Sequence, residues 1–156
     1  MSNRSLAICL GAVVLAANII FERHLMNMGA DGRQLIPGLA DFSPAWNRGV
    51  SFSLLVQDTD TGRHLLMAAL SIITIGVLLF AWRARNRLTA VALGLVLGGA
   101  LGNLLDRGLY GGGVFDFLAL HLGSVPLFVC NIADIAISAG AVLLVAETLL
   151  VRPQST

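Results

Sequence analysis

The chain has 156 residues, of which 56% are hydrophobic and 12% are charged, and its mean hydropathy is +0.83. About a quarter of the residues of a soluble domain are charged, so this composition excludes a soluble protein and indicates an integral membrane protein. The formal net charge is +1 and lysine is absent, which argues against a nucleic-acid partner. The length accommodates about four spans of about twenty residues each. We therefore expect one integral membrane domain, residues 1–156, that is all-α with four transmembrane helices and a small β-containing extracytoplasmic loop region.

The first expected span covers residues 5–21, after a short polar start with a single arginine. A charged start, an apolar run and small residues near Ala16 also fit a cleavable signal peptide. Asn18, Glu22 and Arg23 continue the helical period beyond the apolar run. This continuation favours a spanning helix whose outer end enters a polar site.

The longest polar stretch, residues 24–63, is expected to form an outer loop region that holds a small sheet. Val50, Phe52 and Leu54 alternate with other residues in a strand-like pattern, and residues 47–49 before them are typical of a turn. Thr59 or Asp60 is expected to cap the helix that follows.

The second span, residues 65–82, is free of charge, and Arg83, Arg85 and Arg87 follow it in a short loop. Short loops rich in arginine remain in the cytoplasm. With four spans, both termini are then cytoplasmic, and the loop region 24–63 and the connection 107–124 face the outside.

The third span, residues 88–105, carries Gly94, Gly98 and Gly102 on one helical stripe, which predicts close packing against another helix. Asn103, Asp106 and Arg107 follow at spacings that cluster them. Asp106 and Arg107 could form a structural ion pair at the helix end or belong to a polar pocket. For Asn103, and for Asn131 in the fourth span, interhelical hydrogen bonding and direct substrate contact both stay open.

The fourth span is expected over residues 126–151, with Pro126 in its first turn. Asn131 and Asp134 lie three residues apart on one face of this helix. At 1.5 Å per residue, Asp134 would lie about 12 Å from the helix start. This places a carboxylate inside the outer leaflet.

Asp116 and Asp134 are the two acids best placed for chemistry. An ionised side chain at membrane depth costs roughly 2.5 to 3.5 kcal/mol unless it faces protein or water, so such residues indicate function. Two acids that share a proton can act as base and acid on a peptide bond, as in aspartic proteases. The histidines are scattered and no ligand spacing is found, so we expect neither a metal nor another cofactor.

Four motifs in order give the chain a family resemblance. They are NRGVSF with Asn47, Gly49, Ser51 and Phe52; GGALGNLLDR at 98–107; GGVFDF at 112–117; and NIAD at 131–134. With four spans around these motifs, the chain resembles bacterial lipoprotein signal peptidase, also called signal peptidase II.

The resemblance implies an intramembrane aspartyl endopeptidase with Asp116 and Asp134 as its catalytic pair. It implies that the enzyme removes the signal peptide from diacylglyceryl-modified prolipoproteins in the bacterial inner membrane, with its active site toward the outer face and membrane lipid as its surroundings. We expect a monomer. The residues expected to bind substrate or support the pair are Asn47, Gly49, Asn103, Asp106, Arg107 and Asn131.

The chain departs from the family pattern in its first span. The family carries D-x-x-x-K there, whereas this chain has Asn18 and Glu22, with Arg23 one residue late and turned by about 100° around the helix. An alternative follows from this departure: a divergent, catalytically impaired paralogue that binds lipoprotein precursors or an inhibitor without cleaving.

Overall fold

A computed structural model describes residues 1–29, 31–49 and 59–150. It contains four long helices, α1 (Asn3–Met26), α2 (Asp60–Trp82), α3 (Arg87–Leu109) and α4 (Ile132–Leu150). Each is long and apolar enough to cross a membrane, which confirms the predicted class. The strand predicted around Val50, Phe52 and Leu54, and the motif residues Ser51 and Phe52, lie outside the described residues.

Side chains at the helix starts set where the helices begin. The Ser2, Thr59 and Asn86 side chains accept backbone N–H groups of the first turns of α1, α2 and α3. Such caps satisfy amide groups that have no partner within the helix. Thr59, one of the two residues predicted to cap the second span, is therefore confirmed.

The small sheet is larger than the sequence predicted. Its strands are β1 (Arg33–Ile36), β2 (Ala40–Asn47), β3 (Val114–Leu122) and β4 (Val125–Cys130), in the order β1-β2-β3-β4 with every pair antiparallel. The first two belong to the predicted loop region. The last two form a hairpin that reverses after Leu122 through Gly123, whose φ is +61°.

The hairpin corrects the predicted start of the fourth span. Pro126 lies in β4, and α4 begins at Ile132. Apolar VPLFVC suits a lipid-facing helix as well as a strand, but here it pairs with β3 as an edge strand of the sheet. Asp134 is consequently the third residue of α4, about 3 Å from the helix start and not 12 Å.

Helix α3 packs between α1 and α4, and glycine permits both approaches. A Cβ on Gly98 would lie 2.5 Å from the Gly11 carbonyl oxygen of α1, and one on Gly99 would lie 2.4 Å from the Ala133 carbonyl oxygen of α4. The predicted glycine stripe is therefore a close helix contact. This contact packs α3 against α1, the helix whose sequence also fits a cleavable signal peptide.

At one end of the bundle, the starts of α1 and α3 meet the ends of α2 and α4. Arg4 lies over the Trp82 ring, and the Thr89 hydroxyl donates to Glu147. These contacts bring the first turns of α1 and α3 to the last turns of α2 and α4. The sheet lies at the other end, where Phe42, Phe115 and Phe117 form a core cluster with side chains from α1 and α4 packed against it, including Leu25, Met26 and Ile132.

Candidate active site

Two aspartates are brought together where the sheet meets the helices. Asp116 lies in β3 and is 2% exposed, and its Oδ2 accepts a hydrogen bond from Asn47 Nδ2 of β2 at 3.1 Å. Asp134 lies in the first turn of α4, and its Oδ1 accepts from Asn103 Nδ2 of α3 at 2.8 Å. Each carboxylate is thus held by an asparagine on a neighbouring element.

Asn131 orients Asp134 from the backbone side. It directly precedes α4, and its Oδ1 accepts the Asp134 N–H at 2.9 Å, as an N-cap side chain does. Its Nδ2 donates to Asn103 Oδ1 at 3.2 Å. Of the two interpretations left open for Asn103, the structure contains the interhelical hydrogen bond. The Asn103 side-chain oxygen accepts from Asn131, and its side-chain nitrogen donates to Asp134.

Arg107 braces the site without pairing with its neighbour. Its guanidinium donates to the Gly49 carbonyl oxygen at 2.6 Å and to the Asn103 carbonyl oxygen at 3.1 Å. Within the described ranges, Asp106 and Arg107 form no ion pair. The structural ion pair considered for these two residues is therefore wrong, because the planar guanidinium is directed at backbone carbonyls instead.

Asp106 contacts the strand next to Asp116. Its Oδ2 accepts the Phe115 N–H at 3.4 Å, one residue before Asp116. Gly49 also contributes through its backbone, since its N–H donates to Asn47 Oδ1 at 3.0 Å while its carbonyl accepts from Arg107. Asp106 and Gly49 therefore support the site indirectly, through residues that neighbour or contact Asp116 and Asp134.

The electrostatics of Asp116 differ from those of an ordinary surface acid. Burial raises the pKa of Asp116 to about 7, and the charge of Asp134 acts in the same direction, whereas the Asn47 hydrogen bond and the Arg107 charge oppose it. Asp116 Oδ1 has no hydrogen-bond partner among the described residues. An acid that holds its proton near neutral pH, with a free oxygen, suits proton donation.

Asp134 is held in a different setting. It lies in the first turn of α4, and its Oδ1 accepts a hydrogen bond from Asn103 Nδ2 at 2.8 Å. The two aspartates thus occupy different environments. Paired acids whose environments differ in this way take different roles in catalysis.

A cleft opens beside Asp134 between α2, α3 and α4. Its volume is about 240 Å³. Asn47, Asn103, Arg107 and Asp134 form its polar end, and the rest is mainly apolar, including Leu70, Ile73, Val77, Val96, Leu104 and Ile137. Thr74 and Ser138 also line it and were not predicted; Ser138 lies one turn after Asp134, so helical spacing alone could have indicated it.

Asn18 and Glu22 are supporting residues that were expected to carry the first span into a polar site but were not assigned a partner. Both are buried in α1, and Asn18 Nδ2 donates to Glu22 Oε1 at 2.7 Å. Asn18 Oδ1 accepts the Ala133 N–H at 3.0 Å, one residue before Asp134. Their spacing of four residues on an otherwise apolar helix was the available signal.

Comparison with protein families gives one match over most of the chain. The model described as Signal peptidase (SPase) II matches residues 19–150. A curated lipoprotein signal peptidase of Methylorubrum extorquens (strain PA1) is 49% identical over 116 residues, which are 74% of this chain and 67% of that protein. One of Methylocella silvestris is 42% identical over 153 residues, covering 96% of this chain and 88% of that protein.

Solved structures share the fold. A bacterial membrane enzyme solved at 2.3 Å by the in meso method superposes with a TM-score of 0.81, covering 96% of this chain and 93% of that one. The sequence identity of this pair is 23%. The four helices and the small sheet are therefore an arrangement already seen in a membrane enzyme.

Proposed function

This chain belongs to the signal peptidase II family, and we propose that it cleaves prolipoproteins as an intramembrane aspartyl endopeptidase with Asp116 and Asp134 as its catalytic pair. It is an enzyme of the lipoprotein signal peptidase type and a multi-pass protein of the inner membrane. The observation that carries the proposal is the arrangement of the two carboxylates where the sheet meets the helices. Asp134 lines the polar end of an apolar cleft, and Asp116 is held by Asn47, which lines the same end.

Water is the nucleophile in this mechanism. Asp134, as carboxylate, takes a proton from water while the oxygen attacks the scissile carbonyl carbon, and Asp116 gives its proton to the carbonyl oxygen. The resulting tetrahedral diol then collapses. The amide nitrogen leaves with the proton held by Asp134, and one hydroxyl returns its proton to Asp116, so both acids recover their starting states.

The cleft supports a lipid-modified substrate. Its apolar walls are contributed by the membrane-spanning helices α2, α3 and α4, and its polar end lies at Asp134. A signal peptide helix and the acyl chains of a diacylglyceryl group are apolar, whereas the peptide bond to be cut needs polar partners. Asn47, Asn103 and Arg107 line that polar end and would position the substrate backbone.

The orientation of the protein follows from its arginines. Arg83 and Arg85 lie between α2 and α3, and Arg87 is the first residue of α3, at the end of the bundle opposite the sheet. A short arginine-rich connection stays cytoplasmic. We therefore place both termini in the cytoplasm and the catalytic pair toward the outer face, and we take the enzyme to act as a monomer.

The relatives do not favour a copy that binds precursors without cleaving them, because those reported above are named as peptidases. Asn18 and Glu22, which motivated that alternative, contact each other and the Ala133 backbone. They leave both aspartates in place.

The test is cleavage of a purified diacylglyceryl precursor in micelles by wild type, Asp116→Asn and Asp134→Asn. Each variant should lose at least about 100-fold in rate, the usual contribution of a general acid or base. Asp31→Asn, an exposed acid outside the site, is the matched control and should cleave normally. Each variant should retain its helical circular dichroism. Cleavage by either folded site variant at the wild-type rate would refute the catalytic pair.

A further inference from the structure

A continuous series of buried contacts joins the backbone on either side of the site. The Ala133 N–H donates to Asn18 Oδ1 at 3.0 Å, and Asn18 Nδ2 donates to Glu22 Oε1 at 2.7 Å. Glu22 and Asp106 each lie four residues, about one helical turn, beyond Asn18 and Gly102. Those two residues meet where α1 packs on α3, since a Cβ on Gly102 would lie 3.1 Å from Asn18 Nδ2. The buried carboxyl groups of Glu22 and Asp106 therefore face each other across this contact and interact. Asp106 Oδ2 accepts the Phe115 N–H at 3.4 Å. The series therefore starts one residue before Asp134 and ends one residue before Asp116.

The link between Glu22 and Asp106, here called the carboxyl pair, differs chemically from the others. Two carboxylates have only acceptor atoms, so a hydrogen bond between them requires a proton on one of them. Glu22 and Asp106 are each 3% exposed, and like charges buried side by side cannot both ionise easily. A hydrogen bond across this contact therefore needs a buried proton.

The charged groups around the carboxyl pair do not replace that proton. Asp116 faces it from β3 and adds negative charge, and Arg107 of α3 is the cation that acts on it. The Arg107 guanidinium, however, donates to the Gly49 and Asn103 carbonyl oxygens. The pair therefore lacks a direct cationic partner among the described residues.

We propose that Glu22 and Asp106 share one proton, and that this proton couples the backbone before Asp134 to the backbone before Asp116. The inference rests on the proposed catalytic role of the two aspartates. Glu22, Asn18 and Asp106 are positioning residues in this account, because they act on the catalytic groups through the Ala133 and Phe115 amides. Losing the shared proton would leave two adjacent carboxylates that repel each other and separate α1 from α3.

Infrared spectroscopy tests the shared proton without using catalysis. The protein is Asp116→Asn/Asp134→Asn, measured at about pH 8 in a detergent free of ester groups. Solvated carboxyl groups are ionised at this pH. A C=O band of a protonated carboxylic acid should nevertheless remain. Adding either Glu22→Gln or Asp106→Asn should remove the whole band, because the partner left behind becomes a carboxylate. Arg23→Gln, an exposed neighbour on α1, should leave the band in place.

Two spectroscopic results overturn the shared proton. One is the absence of an acid band in the Asp116→Asn/Asp134→Asn protein. The other is a band that survives either amide substitution, since that shows a proton held by one residue alone. Both results are independent of cleavage, so they remain informative even where the catalytic assignment fails in its own assay.

The positioning role is tested by conservative rescue in the active protein. Glu22→Ala breaks the series and should lower kcat by up to about 100-fold, the effect of a small misplacement of reacting groups, with KM changed less than about twofold. Glu22→Gln should recover most of that loss, since its amide donates to Asp106 without a proton and its oxygen still accepts from Asn18. Equal kcat for the alanine and glutamine variants, or a change confined to KM, overturns the role.

Discussion

The contact between α3 and α1 gives a sharp test of how tightly the fold is built. Replacing Gly98 by alanine adds one methyl group that would lie 2.5 Å from the Gly11 carbonyl oxygen, 2.6 Å from Val14 Cβ and 3.0 Å from Gly11 Cα. Two of the three nearest atoms belong to backbone, so no side-chain rotation makes room. The whole of α1 must shift away from α3.

The size of the shift sets the expected cost. Ordinary contact begins at 3.4 Å, so the 2.5 Å approach requires about 0.9 Å of movement, the difference between the two. Overpacking of this kind costs about 1 to 3 kcal/mol, while alanine gains roughly 0.5 to 1 kcal/mol over glycine within a helix. The net fall lies between about 0 and 2.5 kcal/mol, and we expect Gly98→Ala to lower the free energy of unfolding by roughly 1 kcal/mol.

Equilibrium unfolding in mixed micelles measures this difference, with Gly76→Ala as the matched control. A Cβ on Gly76 of α2 would meet no atom within 4 Å, so that variant should be as stable as wild type or slightly more stable. Gly98→Ala should also slow cleavage, because α1 carries Asn18, which holds the start of α4. Equal stability of the two variants would refute the close packing of α1 on α3.

Further expected outcomes concern the polar groups of the site. The pKa of Asp116 is raised to about 7, so the side chain holds its proton below that pH. The cleavage rate should therefore fall as pH rises through about 7. A rate that is flat from pH 6 to about 9 would contradict the role of Asp116 as the acid. The pKa of Asp116 in the unfolded chain is about 4, below its value in the fold. Its contribution to the free energy of unfolding is therefore fully present below about pH 4 and is lost as pH rises through about 7. The free energy of unfolding of Asp116→Asn should fall less over this pH range than that of wild type. Asn47→Leu removes a hydrogen bond that lowers the pKa of Asp116, so the alkaline fall in rate should move to higher pH, and a downward move would contradict the assignment. Arg107→Lys keeps the charge but cannot reach both the Gly49 and Asn103 carbonyls, and kcat/KM should fall about tenfold; an unchanged value would show that the charge alone suffices.

Much of the helical framework was predictable, and one boundary was not. Spans predicted at 65–82 and 88–105 are observed as Asp60–Trp82 and Arg87–Leu109, because long apolar periods and polar caps fix helices locally. The start of the fourth span was wrong because an apolar strand and an apolar helix have the same composition. Pairing with β3, which lies earlier in the chain, decides between them, and a single sequence does not contain that information.

The site was predictable as a set of residues but not as a set of contacts. Polar residues in apolar sequence identified Asn103, Asn131 and Asp134, yet their hydrogen bonds depend on how α3 meets α4. From the sequence, Asn18 and Glu22 could be recognised as residues that replace the family's D-x-x-x-K motif at the polar end of the first span. Their function becomes visible only when α1 is packed against α3, since their partners lie more than eighty residues away along the chain.

The corrected start of α4 also resolves an energetic difficulty in the proposed reaction. A carboxylate about 12 Å inside a helix would have to exchange protons with water through the hydrocarbon layer, at a cost of several kcal/mol for the charged form. In the first turn of α4, Asp134 instead lies next to the sheet, at the polar end of the cleft. The apolar part of a bound substrate can then remain among the spanning helices while water reaches the peptide bond at their outer ends. Lipid anchoring and hydrolysis are in this way separated along one cleft.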